Sequence, residues 1–336
     1  EALALAQELG HWRGITKAHY MAAYAAMQMG QYEEAVEHAR RCRDLCIQAG
    51  LNSRLPAAWT LLGSVYRQMS MQEQALDAFL SAVELTKEWG DSLDLAYAWV
   101  NLATTYVDLG QRTRARELLL RAAPVFEHFD ARRTLVDTWV NLGATDLKVE
   151  EKMRYLRQAI ATAEEMEYPS GLAYAWNNLG GCLLDSLGQI EEATAAFSRA
   201  VNYSRMASDA FEETTASIDL GKAWVLRGVV DSARWYLQRG LSMASSLGNR
   251  QLQTDALEGL ATLAASRGDF AQAYAYQTRR LAVMDTLFNE QLSEKLAEAN
   301  ARYEAGKREA RIAEQQLQLE KERNLRYLAM AIGLAV

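Results

Sequence analysis

Amide and carboxylate side chains recur at a fixed place in this sequence. Each follows a tryptophan, or the residue that takes the tryptophan's place, by two positions: Asn101, Asn141, Asn178 and Asp219. A side-chain amide donates and accepts hydrogen bonds at once, which suits the N–H and C=O groups of an extended peptide. The pattern therefore predicts a row of peptide-binding groups in the middle of the chain.

Two tyrosines, Tyr97 and Tyr174, stand two positions before Trp99 and Trp176. Their rings would add flat contact surface beside the amides. A second interpretation of the row stays open, in which the asparagines bond to a neighbouring helix. Buried polar groups must find partners in either case, so the residue types alone do not choose between the two.

No catalytic motif accompanies this row. The four histidines, at positions 11, 19, 38 and 128, form no His-Glu-x-x-His pair, and the sequence has neither a phosphate-binding loop nor a Gly-x-Ser-x-Gly elbow. His38, Cys42 and Cys46 have helical spacing, but three ligands on one straight helix converge poorly on a metal. We therefore predict no enzyme activity, no metal and no cofactor.

The polar row recurs because the chain itself repeats. A small residue followed five positions later by Ala occurs at Gly30/Ala35, Ser70/Ala75, Gly110/Ala115, Gly188/Ala193, Gly228/Ala233 and Gly268/Ala273. The alanines are 40, 40, 78, 40 and 40 residues apart, so the long step holds two repeats, one of them degenerate near 148–155. We predict seven repeats from about Lys17 to Phe288, with a partial one before them.

A second pattern precedes the first by eleven residues and predicts a helix pair in each repeat. Its clearest copies are Trp59-x-x-Leu62-Gly63-x-x-Tyr66, Trp99-x-x-Leu102-Ala103-x-x-Tyr106, Trp139-x-x-Leu142-Gly143 and Trp176-x-x-Leu179-Gly180. Spacings of three, four and seven residues place these side chains on one helical face. The small residue lets a second amphipathic helix approach closely, so the chain is predicted to be all-α.

Composition agrees with helices and excludes one class of partner. Only three prolines occur in 336 residues, and good helix formers are abundant. The net charge of −7 and the pI near 5.4 argue against a nucleic-acid partner, which would require a basic surface. The three cysteines do not form a disulfide framework, because they are few and their number is odd.

The C-terminal part departs from the repeat. Residues 289–326 carry a weak heptad seam, which predicts a long helix or a coiled coil that forms a homodimer; a single solvated helix is the alternative. The uncharged run Tyr327–Val336 follows Arg323 and Arg326. It predicts the start of a truncated transmembrane helix, the alternative being an apolar helix end that docks on a partner. The predicted domains are thus 1–288, 289–326 and 327–336.

The repeated pattern resembles the tetratricopeptide repeat over roughly residues 1–288, although its period of 40 exceeds the usual 34. The resemblance implies a TPR-like α-solenoid, a right-handed superhelix of helix pairs whose first helices line a concave groove. It also implies that the asparagines of the row hold the backbone of a protein or peptide ligand in that groove.

The last third is similar to the tail of bacterial repeat-containing sensor proteins, through Phe288-Asn-Glu-Gln and Ala301-Arg-Tyr303-Glu304. In that family the repeats precede one transmembrane helix and a histidine kinase, a diguanylate cyclase or a helix-turn-helix regulator. The resemblance implies the sensory domain of a membrane-anchored bacterial signalling protein, with its repeats outside the cytoplasm. The rival hypothesis is a membrane-tethered adaptor or scaffold that has no signalling output.

Overall fold

The structure, a computed structural model, describes residues 12–29, 31–69 and 71–286, and these contain helices and no strand. The helices are α1 Trp12–Gln28, α2 Tyr32–Gln48, α3 Leu55–Gln68, α4 Gln72–Trp89, α5 Ser92–Asp108, α6 Arg112–His128, α7 Arg132–Gly143, α8 Val149–Glu165, α9 Pro169–Gly181, α10 Ile190–Ala207, α11 Ala210–Leu226, α12 Val230–Ser246, α13 Arg250–Ser266 and α14, 270–286. A 3-10 turn, Asn52–Arg54, precedes α3, and a π-helical turn, Cys182–Ser186, extends α9.

The described helices form pairs in chain order, beginning with α1 and α2. We call the odd-numbered helices first helices and the even-numbered ones second helices. Each first helix from α1 to α11 packs along the second helix that follows it, and that second helix packs on the next first helix. The predicted all-α fold of stacked helix pairs, a TPR-like α-solenoid, is therefore confirmed.

Each pair is held together where a small residue of the first helix meets a large side chain of the second. Gly63 lies against the ring of Phe79, and Gly180 lies against the ring of Phe197. Both rings are almost completely buried. A Cβ atom added at Gly180 would lie 2.6 Å from Phe197 Cε1. The glycine is therefore a steric requirement of the pair, because an added methyl group would overlap the ring.

The degenerate repeat is the pair α7 and α8. Helix α7 ends at Gly143, where the packing contact itself is made, and α8 begins at Val149. Leu156 takes the place of the aromatic ring and lies against Gly143, with its side chain completely buried. The contact thus survives in a shortened first helix, which explains why two repeats together span 78 residues.

Within residues 12–280, successive first helices lie closer to one another than successive second helices do. Contacts join α1 to α3, α3 to α5, α7 to α9, α9 to α11 and α11 to α13, whereas no comparable contact joins neighbouring second helices from α2 to α12. A stack in which the first helices lie closer together than the second helices curves toward the side of the first helices. We call the faces of the first helices that point away from the second helices the inner surface.

The prediction of a membrane-anchored protein is wrong: in the part of the chain that the structure describes, no helix has both the length and the apolar character that a bilayer crossing requires. The run Tyr327–Val336, the coiled-coil segment 289–326 and the partial repeat before α1 lie outside the described residues. The chain divides after Arg280, and the described residues of its second unit, 281–286, are helical. The homodimer stays a prediction.

The steric requirement at Gly180 is testable against its neighbour. Gly180→Ala should lower the free energy of unfolding by about 1–3 kcal/mol, because the new methyl group overlaps Phe197. Gly181→Ala is the matched control, since a Cβ there meets nothing within 4 Å. It should be neutral or stabilising by up to about 1 kcal/mol. Urea unfolding followed by circular dichroism measures both, and equal midpoints for the two variants would contradict the packing assignment.

Candidate ligand-binding surface

The predicted polar row lies on the first helices and points away from the second helices. Asn141, Asn178 and Asp219 each stand two positions before a glycine that faces the second helix of the pair. Asn101 stands two positions before Ala103, which takes that glycine's place. Two residues turn an α-helix through about 200°, so these side chains are directed to the inner surface.

Two of the asparagines already form a hydrogen bond within their own helix. Asn101 Nδ2 donates to the carbonyl oxygen of Tyr97 at 3.1 Å, and Asn178 Nδ2 donates to that of Tyr174 at 2.9 Å. Each amide carries two N–H donors and one oxygen acceptor. The intrahelical bond uses one donor and fixes the side chain, which leaves a second N–H and the Oδ1 atom for another partner.

The two tyrosines of the predicted site differ in their surroundings. Tyr97 is 41 % exposed, and its ring centroid lies 5.0 Å from that of Phe126 on α6. Tyr174 is half-buried, and its hydroxyl donates to Asp209 Oδ2 at 3.2 Å. Tyr97 therefore offers a free edge of its ring, whereas Tyr174 is tied to the start of the next first helix.

A third residue shares the place of these tyrosines, and the sequence reasoning missed it. Asp137 stands two positions before Trp139, in the same register. It accepts a hydrogen bond from the hydroxyl of Tyr168 at 3.2 Å. Burial raises the pKa of Asp137, opposed by that hydrogen bond and by the charge of Arg133. The register relative to the tryptophan was the signal that could have found it.

Asp219 is joined to the neighbouring first helix rather than to the other members of the row. Asn177 Nδ2, on α9, donates to Asp219 Oδ2 on α11 at 3.3 Å. Burial raises the pKa of Asp219 to about 6, with a smaller contribution from Asp255 and Asp185, and Lys222 and Asn177 oppose the shift. Carboxylates from three successive first-helix segments are therefore close enough to influence one another here.

Glu212 is a buried acid that the sequence reasoning also missed. Its side chain is only 3 % exposed, and its Oε1 atom has no hydrogen-bond partner. Burial raises the pKa of Glu212 to about 8, and the charges of Asp209 and Asp219 add to the shift. The next residue, Glu213, differs sharply, because it forms ion pairs with Arg205 and Arg239 at 2.7 Å. Glu212 is therefore mostly a neutral acid at neutral pH.

The histidine and the two cysteines considered in the sequence have different partners in the structure. Cys42 and Cys46 are buried, and the Cys42 thiol donates to the carbonyl oxygen of Thr16 at 3.3 Å. His38 instead lies with its Nδ1 atom 2.8 Å from Nδ1 of His19 on α1. In residues 12–286, no three potential metal-ligating side chains are gathered as a metal ion would require.

The tryptophans of the repeat pack on the opposite side from the polar row. Trp99 and Trp139 are buried, whereas Trp176 forms the floor of a cleft of about 460 Å³ between the second helices α8 and α10. The guanidinium of Arg199 covers Trp176 at 4.4 Å from the ring centroid. A structural role for these rings fits this position, since a cation over an indole face is itself a favourable contact.

Comparisons with known proteins agree with this architecture. Residues 14–88, 54–128 and 173–205 match models of the tetratricopeptide repeat. Over these residues the chain carries tetratricopeptide repeats. No curated protein matches the sequence significantly. The repeats thus account for the fold, and the comparison at the level of sequence assigns no ligand.

Solved structures share the solenoid at low sequence identity. Aspartyl phosphate phosphatase F from Bacillus subtilis is 19% identical, with a TM-score of 0.64 over 84% of this chain and 74% of its own. The Rap conjugation gene regulator of plasmid pLS20, in complex with the Phr* peptide, is 14% identical, with a TM-score of 0.61 over 82% and 75%. NprR in complex with its cognate peptide NprX is 12% identical, with a TM-score of 0.59 over 79% and 76%. At these identities the likeness shows the fold alone.

Burial of Glu212 predicts an unusual pH dependence of stability. Because its pKa rises from the ordinary 4.5 to about 8 on folding, the folded chain binds more protons between these values. Stability should therefore fall as the pH rises from about 5 to about 8, by up to about 1.4 kcal/mol per pH unit for one proton.

The variant Glu212→Gln mimics the protonated acid and should remove this part of the slope. Urea unfolding of both proteins across that pH range measures the effect. An unchanged slope in the variant would show that Glu212 is ionised in the folded protein.

Proposed function

We propose that the inner surface of residues 12–280 binds an extended peptide segment, and that the repeats serve as the recognition part of a signal-transduction protein. The ligand would lie along α5, α7, α9 and α11, where Asn101, Asn141 and Asn178 face it. The amides would bond to its backbone, and Tyr97 would contact its side chains.

The observation that carries this proposal is the direction of the polar row. The contact between each small residue and the second helix fixes the rotation of the first helix, and that rotation turns the asparagines away from the core. Polar side chains directed to a surface built from successive first helices can bind a chain that crosses those helices. An intrahelical bond holds Asn101 and Asn178 in place, so little side-chain entropy would be lost on binding.

The structural neighbours support the same class of ligand. Two of them are complexes with peptides, Phr* and NprX, and one is described as a gene regulator. A structure of NprR without its peptide describes NprR as a quorum sensor. These descriptions favour peptide recognition in signalling over the rival hypothesis of a passive adaptor. No contact among the described residues supports the adaptor in particular.

A display library of random linear peptides, selected against the chain, tests the proposal. The double variant Asn141→Ala/Asn178→Ala should weaken binding of the recovered peptides about 5- to 150-fold, because each lost amide bond is worth roughly 0.5–1.5 kcal/mol. Asn202→Ala is the matched control, since Asn202 is an exposed asparagine on the second helix α10. It should leave affinity unchanged.

Fluorescence anisotropy measures the affinities, and circular dichroism checks that each variant is folded. A folded double variant that binds as tightly as the wild type would refute the proposed role of the asparagines. Failure to recover any peptide would refute the function itself.

A further inference from the structure

Five carboxyl groups gather around one section of the inner surface. We call Asp185, Asp209, Glu212, Asp219 and Asp255 the acidic cluster. They come from the π-helical turn after α9, from the start and middle of α11, and from α13. Asp185 and Asp255 both influence the ionisation of Asp219, and Asp209 and Asp219 influence that of Glu212. The cluster therefore spans three adjacent first-helix segments.

Three of the five acids belong to α11 or its N-cap and lie on the side of that helix that faces α9. Asp209 accepts the backbone N–H of Glu212 at 3.0 Å as the N-cap of the helix. Glu212 and Asp219 are seven residues apart, which puts them on the same side after two turns. That side faces α9, whose Tyr174 and Asn177 donate to Asp209 and Asp219. Glu212 lies between the two hydrogen-bonded carboxylates, and neither bond reaches it.

Among the described residues, little positive charge acts on Glu212 and Asp219. Lys222 is the cation that acts on Asp219. Arg205 and Arg239, from the neighbouring second helices, are already paired with Glu213 on another side of α11. Tyr174, which faces Glu212 from α9, is a neutral hydroxyl, and burial together with Asp209 and Glu212 raises its pKa. The free Oε1 atom of Glu212 is thus a buried acceptor that lacks a donor.

We propose that this section of the inner surface binds a cationic group of the peptide ligand, an ammonium or a guanidinium, and that Glu212 is one of its acceptors. The inference rests on the proposed function and names the chemistry of the ligand. A metal ion is a poorer match, because the carboxylates in the described residues do not converge on one point. A guanidinium or an ammonium distributes several donors over separate acceptors.

Binding of the cation changes the protonation of Glu212. Before binding, the acid is mostly neutral, because its pKa is raised to about 8. A positive charge beside it favours the carboxylate. The O–H bond of Glu212 therefore breaks, the proton passes to the solvent, and the carboxylate pairs with the ligand's cation. At neutral pH close to one proton should be released for each peptide bound.

The peptide display selection is run in parallel on three proteins. Wild type should recover peptides enriched in Lys and Arg, or dependent on a free N-terminus. The variant Glu212→Gln/Asp219→Asn should still recover peptides through the asparagines but lose that enrichment. The control Glu117→Gln/Glu191→Gln changes two exposed acids on second helices and should keep it. Equal enrichment from all three proteins, or wild-type peptides that show neither enrichment in Lys and Arg nor dependence on a free N-terminus, would overturn the inference.

Chemical changes to one recovered peptide distinguish a terminal ammonium from a side-chain cation as the group that binds. Acetylation of its N-terminus removes the terminal ammonium, and replacing Lys by norleucine or Arg by citrulline removes a side-chain cation. One of these changes should weaken binding to wild type at least about tenfold, which corresponds to about 1.4 kcal/mol. The same change should have little effect on the Glu212→Gln/Asp219→Asn variant.

Isothermal titration calorimetry in two buffers of different ionisation enthalpy measures how many protons are released when the peptide binds. Wild type should release close to one proton per peptide near pH 7, and the single variant Glu212→Gln, which keeps the shape of the side chain, should release none. Release of the same number by both proteins would exclude Glu212 as an acceptor. If peptides bind but show no cationic preference, only this inference fails; if no peptide binds, the proposed function fails with it.

Discussion

The close approach of two helices at a small residue determines most of what this protein presents to its surroundings. Gly180 against Phe197 and Gly221 against Leu237 allow a first and a second helix to pack without a gap. The same contact fixes the rotation of the first helix about its axis. Every other side chain on that helix then has a determined direction, so the polar row and its neighbours face the inner surface together.

Burial of acids is the cost that accompanies this arrangement. The first helices lie close together, and the acids between them lose water without gaining enough cations. The raised pKa values of Asp137, Asp219 and Glu212 all have burial as their largest cause. A purely structural interior would place apolar side chains there, because a buried neutral acid with a free acceptor destabilises the fold. Such groups are characteristic of binding sites.

The sequence was sufficient for the helix pairs, because these follow from spacing within one helix, but the residue types alone left the role of the asparagines open. It was insufficient for the acidic cluster. Glu212 stands three residues after the helix-capping Asp209, a spacing typical of an exposed first turn, whereas its burial arises from the neighbouring helices, α9 among them, that pack against α11. Asn177 and Asn178 are likewise adjacent and of the same type, but Asn177 donates to Asp219 on the next first helix, whereas Asn178 donates to Tyr174 of its own helix. The membrane anchor was inferred from a segment outside the described residues.

Photo-crosslinking tests most directly whether recognition takes place on the inner surface. A photoreactive phenylalanine analogue would replace Tyr97 or Thr215 on first helices, or Asn202 on a second helix, in the presence of a peptide recovered by display. Adducts are expected from Tyr97 and Thr215 and none from Asn202. Adducts confined to Asn202 would place the ligand on the second helices and contradict recognition on the inner surface.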